Sequence, residues 1–92
     1  MIRPGDTFEV FEDATIYSAN PVGPARSRIV INAKEGDLVT YTGITEFHNK
    51  TMYRFLFTPV DEFGDPVNIE HEFFVRNMKR FLESIGYEVE EF

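Results

Sequence analysis

Residues 34–44 read KEGDLVTYTGI. Glu35, Gly36 and Asp37 spell a tight turn, with the glycine free to take the backbone conformation a turn demands. Val39 and Tyr41 then alternate with Thr40 and Thr42, the period of two of a strand with one apolar face. Leu38 falls on the outer face or at a rim. Gly43 stops the strand or bends it, as glycine does at bulges. Strand-like runs lie on both sides, so this strand is expected at the centre of a small barrel.

Upstream, Pro4-Gly5-Asp6 is a turn signal, and residues 7–11 (TFEVF) alternate with Phe8 and Val10 on the apolar face. Glu12-Asp13 breaks that run. Residues 14–18 (ATIYS) form a second short strand. Residues 20–27 (NPVGPARS) hold the strongest loop signal, because Pro21 and Pro24 limit the backbone and remove two ladder donors. Residues 28–33 (RIVINA) are β-branched and lead into the turn at Gly36.

Downstream, residues 46–50 (EFHNK) read as a polar turn. Residues 51–58 (TMYRFLFT) are the most apolar strand, with Tyr53, Phe55 and Phe57 on one face and Met52, Arg54 and Leu56 on the other. Both faces are partly apolar, so this strand is expected to be covered twice, by the barrel core and by a helix. Pro59 ends it. Residues 60–66 (VDEFGDP) make a hairpin connection. Residues 67–73 alternate, with Val67, Ile69, His71 and Phe73 on one face, and should pair with 51–58. The period then changes. Met78, Phe81, Leu82 and Ile85 are spaced as one face of an amphipathic helix over about 77–85. Asn77 suits its N-cap and Gly86 its C′ position. Residues 87–92 alternate weakly and are read as a candidate edge strand.

The chain of 92 residues makes one domain. A chain this short buries only about 60–65% of its unfolded surface, so large side chains must fill the core. Ten Phe and four Tyr do so, each buried Phe contributing roughly 2–3 kcal/mol. Cysteine is absent, which removes disulfides, thiolate metal sites and thiol nucleophiles. No apolar run has signal-peptide length or the ~20 residues of a membrane helix. A cytoplasmic location is expected, where the Asn49-Lys50-Thr51 sequon carries no meaning. The net charge of −7 argues against non-specific attraction to nucleic acid or anionic membranes.

From Gly5 to about Phe73 the chain resembles the small SH3-like barrels of bacterial and phage proteins. The opening Gly5-Asp6 with residues 7–11 carries this, as do the long irregular connection to Ser27 and above all residues 34–43, of the form KxGDxVxYxG. The resemblance implies a mainly β fold of α+β type, a partly open five- to six-stranded antiparallel barrel with one C-terminal helix. Residues 76–92 depart from the pattern. Such barrels close with a one-turn helix and a short strand, and a longer helix lying over the groove of peptide-binding members would remove that role.

No catalytic constellation stands out, and no enzyme activity, cofactor or metal is expected. His71 lies between Glu70 and Glu72, but strand alternation turns it away from both, so the three cannot share a metal. It is read as a half-buried strand residue. His48 sits in a polar turn. The loop at Asp61, Glu62 and Asp65 lacks the alternating ligands and closing glutamate of a calcium loop. No GxSxG or phosphate-binding loop is present.

Charge is more informative. Arg26, Arg28 and Lys34 lie in a stretch from Ala14 to Lys34 without an acid, and Arg76, Lys79 and Arg80 on or beside the helix. The expected function is a non-enzymatic interaction module that docks on a larger protein with a basic surface, as a monomer or a homodimer. The candidate partner-binding residues are Asp61, Glu62, Asp65, Glu70, Glu72, Glu83, Glu88, Glu90 and Glu91. The alternative is an acidic inhibitor that imitates DNA, of the phage anti-restriction or anti-defence kind, with carboxylates spaced like phosphates. A barrel binding nucleic acid through Arg26, Arg28 and Lys34 is disfavoured by the overall charge.

Overall fold

The computed structural model describes residues 2–19, 29–47 and 49–90. The elements run in the order β1 (Thr7–Glu9), β2 (Ala14–Tyr17), β3 (Val30–Ala33), β4 (Leu38–Phe47), β5 (Lys50–Thr58), β6 (His71–Val75) and α1 (Met78–Ser84). The strands make a four-stranded sheet ordered β1-β4-β5-β6 and a separate two-stranded sheet of β2 and β3. Every pairing is antiparallel. The Pro-rich stretch 20–27, Arg26, Arg28, His48 and Glu91 lie outside the described residues.

The strand that opens at Leu38 is central, flanked by β1 and β5. Val39 and Tyr41 are buried as their alternation requires. Gly43 bends this strand and does not stop it. The register with β5 shifts between Tyr41 and Gly43, where φ is +138°, a bulge that only glycine takes easily. Thr42 locks the bulge, its hydroxyl donating to the Arg54 carbonyl at 3.0 Å and accepting from Arg54 Nε at 2.9 Å. β4 then runs on to Phe47, which pairs with Lys50. Residues 46, 47 and 50 of the expected polar turn are therefore paired in strands, and Asn49 has φ 64°.

The expected single barrel wall of five or six strands is not formed. Among the described residues the two sheets share no strand ladder. They meet at Phe74, whose N–H donates to Ser18 Oγ at 3.0 Å and whose carbonyl accepts from Ala19 N–H at 2.7 Å. Side chains fill the space between the sheets instead. One cluster draws Val39 and Tyr41 from β4, Phe55 and Phe57 from β5, Phe73 and Val75 from β6, Ile16, Ile31 and Ala33 from the small sheet, and Met78, Phe81 and Leu82 from α1. Phe55 stacks on Phe73 at 5.5 Å, and Phe81 meets both rings, at 4.9 and 5.4 Å.

Those ring contacts correct the expected position of the helix. Phe55 also touches Tyr41 at 5.4 Å, so α1 covers the same face of the sheet as the core. The Met52, Arg54 and Leu56 face is not the one it covers. The helix itself follows its signals. Asn77 caps it, its side chain accepting from Arg80 N–H at 3.0 Å. Gly86, at φ +106°, ends it. Gly86 N–H donates to the Glu83 carbonyl at 3.1 Å and Tyr87 N–H to the Leu82 carbonyl at 3.0 Å, the paired bonds of a Schellman ending.

β6 pairs with β5 as expected but begins at His71, not Val67. Val67 N–H donates to Pro59 O at 2.9 Å and Ile69 N–H to Val67 O at 2.7 Å. The first bond continues the Val60–Pro66 bridge and the second bends 67–69, so their alternation is not realised as a strand. His71 is exposed rather than half-buried. Residues 87–90 add no edge strand. Tyr87 instead lays its ring against Phe8 and Phe11, at 5.5 and 4.9 Å, and its hydroxyl donates to the Glu9 carbonyl at 2.8 Å. No helix among the described residues is long and apolar enough to cross a membrane.

Candidate interaction surface

The turn before β4 has a hydrogen bond for every backbone N–H. Lys34 N–H donates to Asp37 Oδ2 at 2.8 Å, and Glu35 N–H to Asp13 Oδ1 at 2.8 Å. Gly36 N–H donates to Val10 O at 2.8 Å, and Asp37 N–H to Lys34 O at 2.9 Å. Asp37 is a buried carboxylate. Its second oxygen accepts from Val60 N–H at 3.0 Å, so one side chain holds both its own turn and the base of the β5–β6 connection. The Asp37 carbonyl accepts from Val10 N–H at 2.8 Å, which adds the exit of β1.

The β5–β6 connection is folded onto itself. Val60 bridges Pro66. Asp61 N–H donates to Asp65 O at 2.9 Å, and Gly64 N–H to Asp61 O at 3.0 Å. Asp61 Oδ1 accepts from Phe63 N–H at 2.9 Å and from Asp65 N–H at 3.0 Å. Asp61, one of the candidate partner-binding acids, is thus the organiser of its own loop. Glu62 and Asp65 remain exposed beside it, and Phe63 at the tip is 81% exposed.

The helix ends at the same end of the sheet. Phe11 and Glu12 N–H groups donate to the Ile85 carbonyl at 2.8 and 3.2 Å. Glu9 pairs with Leu38, Leu38 with Thr58, and Phe57 with His71. Through these contacts the segments that carry Glu9, Glu12, Asp13, Glu35, Asp61, Glu62 and Asp65, and Glu83 and Glu88 either side of Ile85, attach to one end of the sheet. Glu70 and Glu72 flank His71 at that end, and Glu90 follows on the tail. All are exposed. Arg76 follows Val75, which pairs with Tyr53, at the opposite end of β6. Lys79 and Arg80 belong to the first turn of α1, and the seven-residue helix carries the chain roughly 10 Å at 1.5 Å per residue. The sequence reading did not put forward Glu9, Glu12, Asp13 or Glu35 as partner-binding residues. They lie far along the chain from the other acids, and only strand pairing and the hydrogen bonds of the turn bring them close.

Among the described residues no group of His, Asp and Glu could hold a metal ion. An open depression of about 230 Å³ is lined by Asp13, Ala14, Thr15, Asn32, Ala33 and Lys34, but Asp13 is engaged by the turn and Thr15 faces Asn32. Burial pushes the phenols of Tyr41 and Tyr87 upward, helped by Tyr53 at the first and by the Glu9 carboxylate at the second. Both rings are structural, one in the core and one across β1. No family model, curated protein or solved structure matches the chain.

Proposed function

We propose that this protein is a non-enzymatic interaction module whose acidic end docks on a basic surface of a larger protein. The observation that carries this reading is the meeting of the acids of 9–13, 35, 61–65 and 83–88 at one end of the sheet. Hydrogen bonds hold much of the backbone that carries them, at Glu12, Glu35, Asp61 and Asp65 among others. A backbone already in place loses little loop freedom on docking, and the gathered charge steers an oppositely charged partner toward this face. We read the architecture as a variant of the SH3-like barrel. The order β1-β4-β5-β6, the β2–β3 hairpin inserted after β1, and the helix after β6 support that reading. Tyr87, lying against β1 by its side chain, stands where the closing strand of such a barrel would be.

Imitation of DNA needs an unbroken row of carboxylates. Lys34, exposed in the same turn as Glu35, puts a positive charge within the acidic end and interrupts that row, which favours docking on a protein. The test is retention of a partner from native lysate on the immobilised chain, at low and high salt, with the triple variant Glu62→Lys/Asp65→Lys/Glu88→Lys beside the parent. Retention at low salt that is lost at high salt and in the variant supports the reading. Retention indifferent to both overturns it, and displacement of the partner by duplex DNA returns the mimic.

A further inference from the structure

We propose that Phe63 is the anchor of that docking surface, and that the partner offers an apolar pocket rimmed by lysine or arginine. The inference rests on the reading of the acidic end and names the contact that gives it specificity. Phe63 contributes no core packing, since it is 81% exposed, while the rings of Phe55 and Phe73 are fully buried. Yet its loop is among the most tied segments of the chain. Asp61 Oδ1 holds the Phe63 and Asp65 N–H groups, Asp61 and Asp65 are bonded through their backbones, and Gly64 takes φ +82° to close the turn. The base of the loop is fastened by the Val60–Pro66 bridge, by Val67 N–H on Pro59 O, and by Val60 N–H on the buried Asp37 carboxylate.

A backbone held by so many bonds sets the position from which the ring projects before any partner arrives. Such preorganisation lowers the ordering cost of binding, and aromatic anchors that enter a pocket dominate interface energetics. The flanking charge selects the pocket. Glu62 and Asp65 flank Phe63 in sequence and are exposed, so a pocket with an acidic rim, a phosphate backbone or an anionic membrane repels it. Cations around an apolar hole satisfy both features. Ile69, 51% exposed, belongs to the same connection.

The test uses the full chain with the photo-crosslinker p-benzoylphenylalanine at position 63, or at Ile44 as a control that is equally apolar and 60% exposed. Irradiation in native lysate is followed by mass mapping of the adduct. Retention of the captured protein is then compared for the parent, Phe63→Ala and Phe63→Leu, after unchanged thermal midpoints show that each folds. The expected result is an adduct from 63 and not from 44, mapping to an apolar segment with Lys or Arg beside it. Phe63→Ala should weaken retention at least tenfold and Phe63→Leu much less. Salt-sensitive retention that survives Phe63→Ala overturns the anchor and leaves the acidic docking in place. Retention indifferent to Phe63→Ala, to salt and to charge reversal overturns both, and absence of an adduct at 63 overturns the anchor.

Discussion

Asp37 is the residue on which the most separate pieces of backbone depend. It is 6% exposed, and its oxygens accept from Lys34 and Val60 N–H groups. Removing an acceptor strands buried donors, which costs about 1–3 kcal/mol for each group left unsatisfied. Asp37→Ala should therefore lower stability by roughly 2–4 kcal/mol in urea denaturation, and Asp37→Asn by less, because the amide keeps one acceptor oxygen. A loss within a few tenths of a kcal/mol for Asp37→Ala would show that water replaces the carboxylate. In the sequence this residue reads as a turn former, and that much is legible from Glu35-Gly36-Asp37. Its reach to Val60, 23 positions away, is not, because nothing in local pattern records a side chain bonding to distant backbone.

At the scale of elements, the helical period and the central strands were legible, while the alternation at 67–69 and the polar stretch at 46–47 misled. The spacing of Met78, Phe81, Leu82 and Ile85 places a helix where one exists, because burying that face against Phe55 and Phe73 is what stabilises it. Residues 46–47 looked like a turn on polarity alone, yet pairing with Lys50 and Thr51 keeps them extended. Residues 67–69 looked like a strand, yet backbone bonds within the connection turn them. The candidate site was legible only as a list of acids, since bonds such as Glu35 N–H to Asp13, 22 positions apart, decide which of them meet. The end of α1 gives a direct check. A Cβ on Gly86 would lie 2.7 Å from the Phe11 Cβ, in a backbone conformation at φ +106°. Gly64 has φ +82° but nothing within 4 Å of such a Cβ. Gly64→Ala should cost about 1 kcal/mol from backbone strain alone. Gly86→Ala should cost clearly more in the same denaturation assay, and equal losses would mean that Phe11 moves aside freely.

For the whole molecule, the raised phenols of Tyr41 and Tyr87 set an alkaline limit. The fold favours their protonated forms, so the stability they contribute is fully present below the ordinary value of 10.0 and is lost as pH rises through the higher folded-state values. Urea midpoints should hold steady up to about pH 9 and fall above pH 10. Tyr87→Phe should lose about 1 kcal/mol at neutral pH, for the bond to Glu9, and show a shallower alkaline fall. An unchanged slope would assign the limit to Tyr41 alone. That same Tyr87 bond spans 78 positions of the chain, and the Ile85 carbonyl joins residues 11 and 12 just as remotely. A polypeptide emerging from the ribosome exposes Phe8 and Phe11 long before the ring that covers them is made. The first strand is therefore finished last. Such remote closure slows folding relative to local pairing, and it makes the interval before Tyr87 appears the moment when a chaperone, or a partner able to cover Phe8 and Phe11, has most to bind.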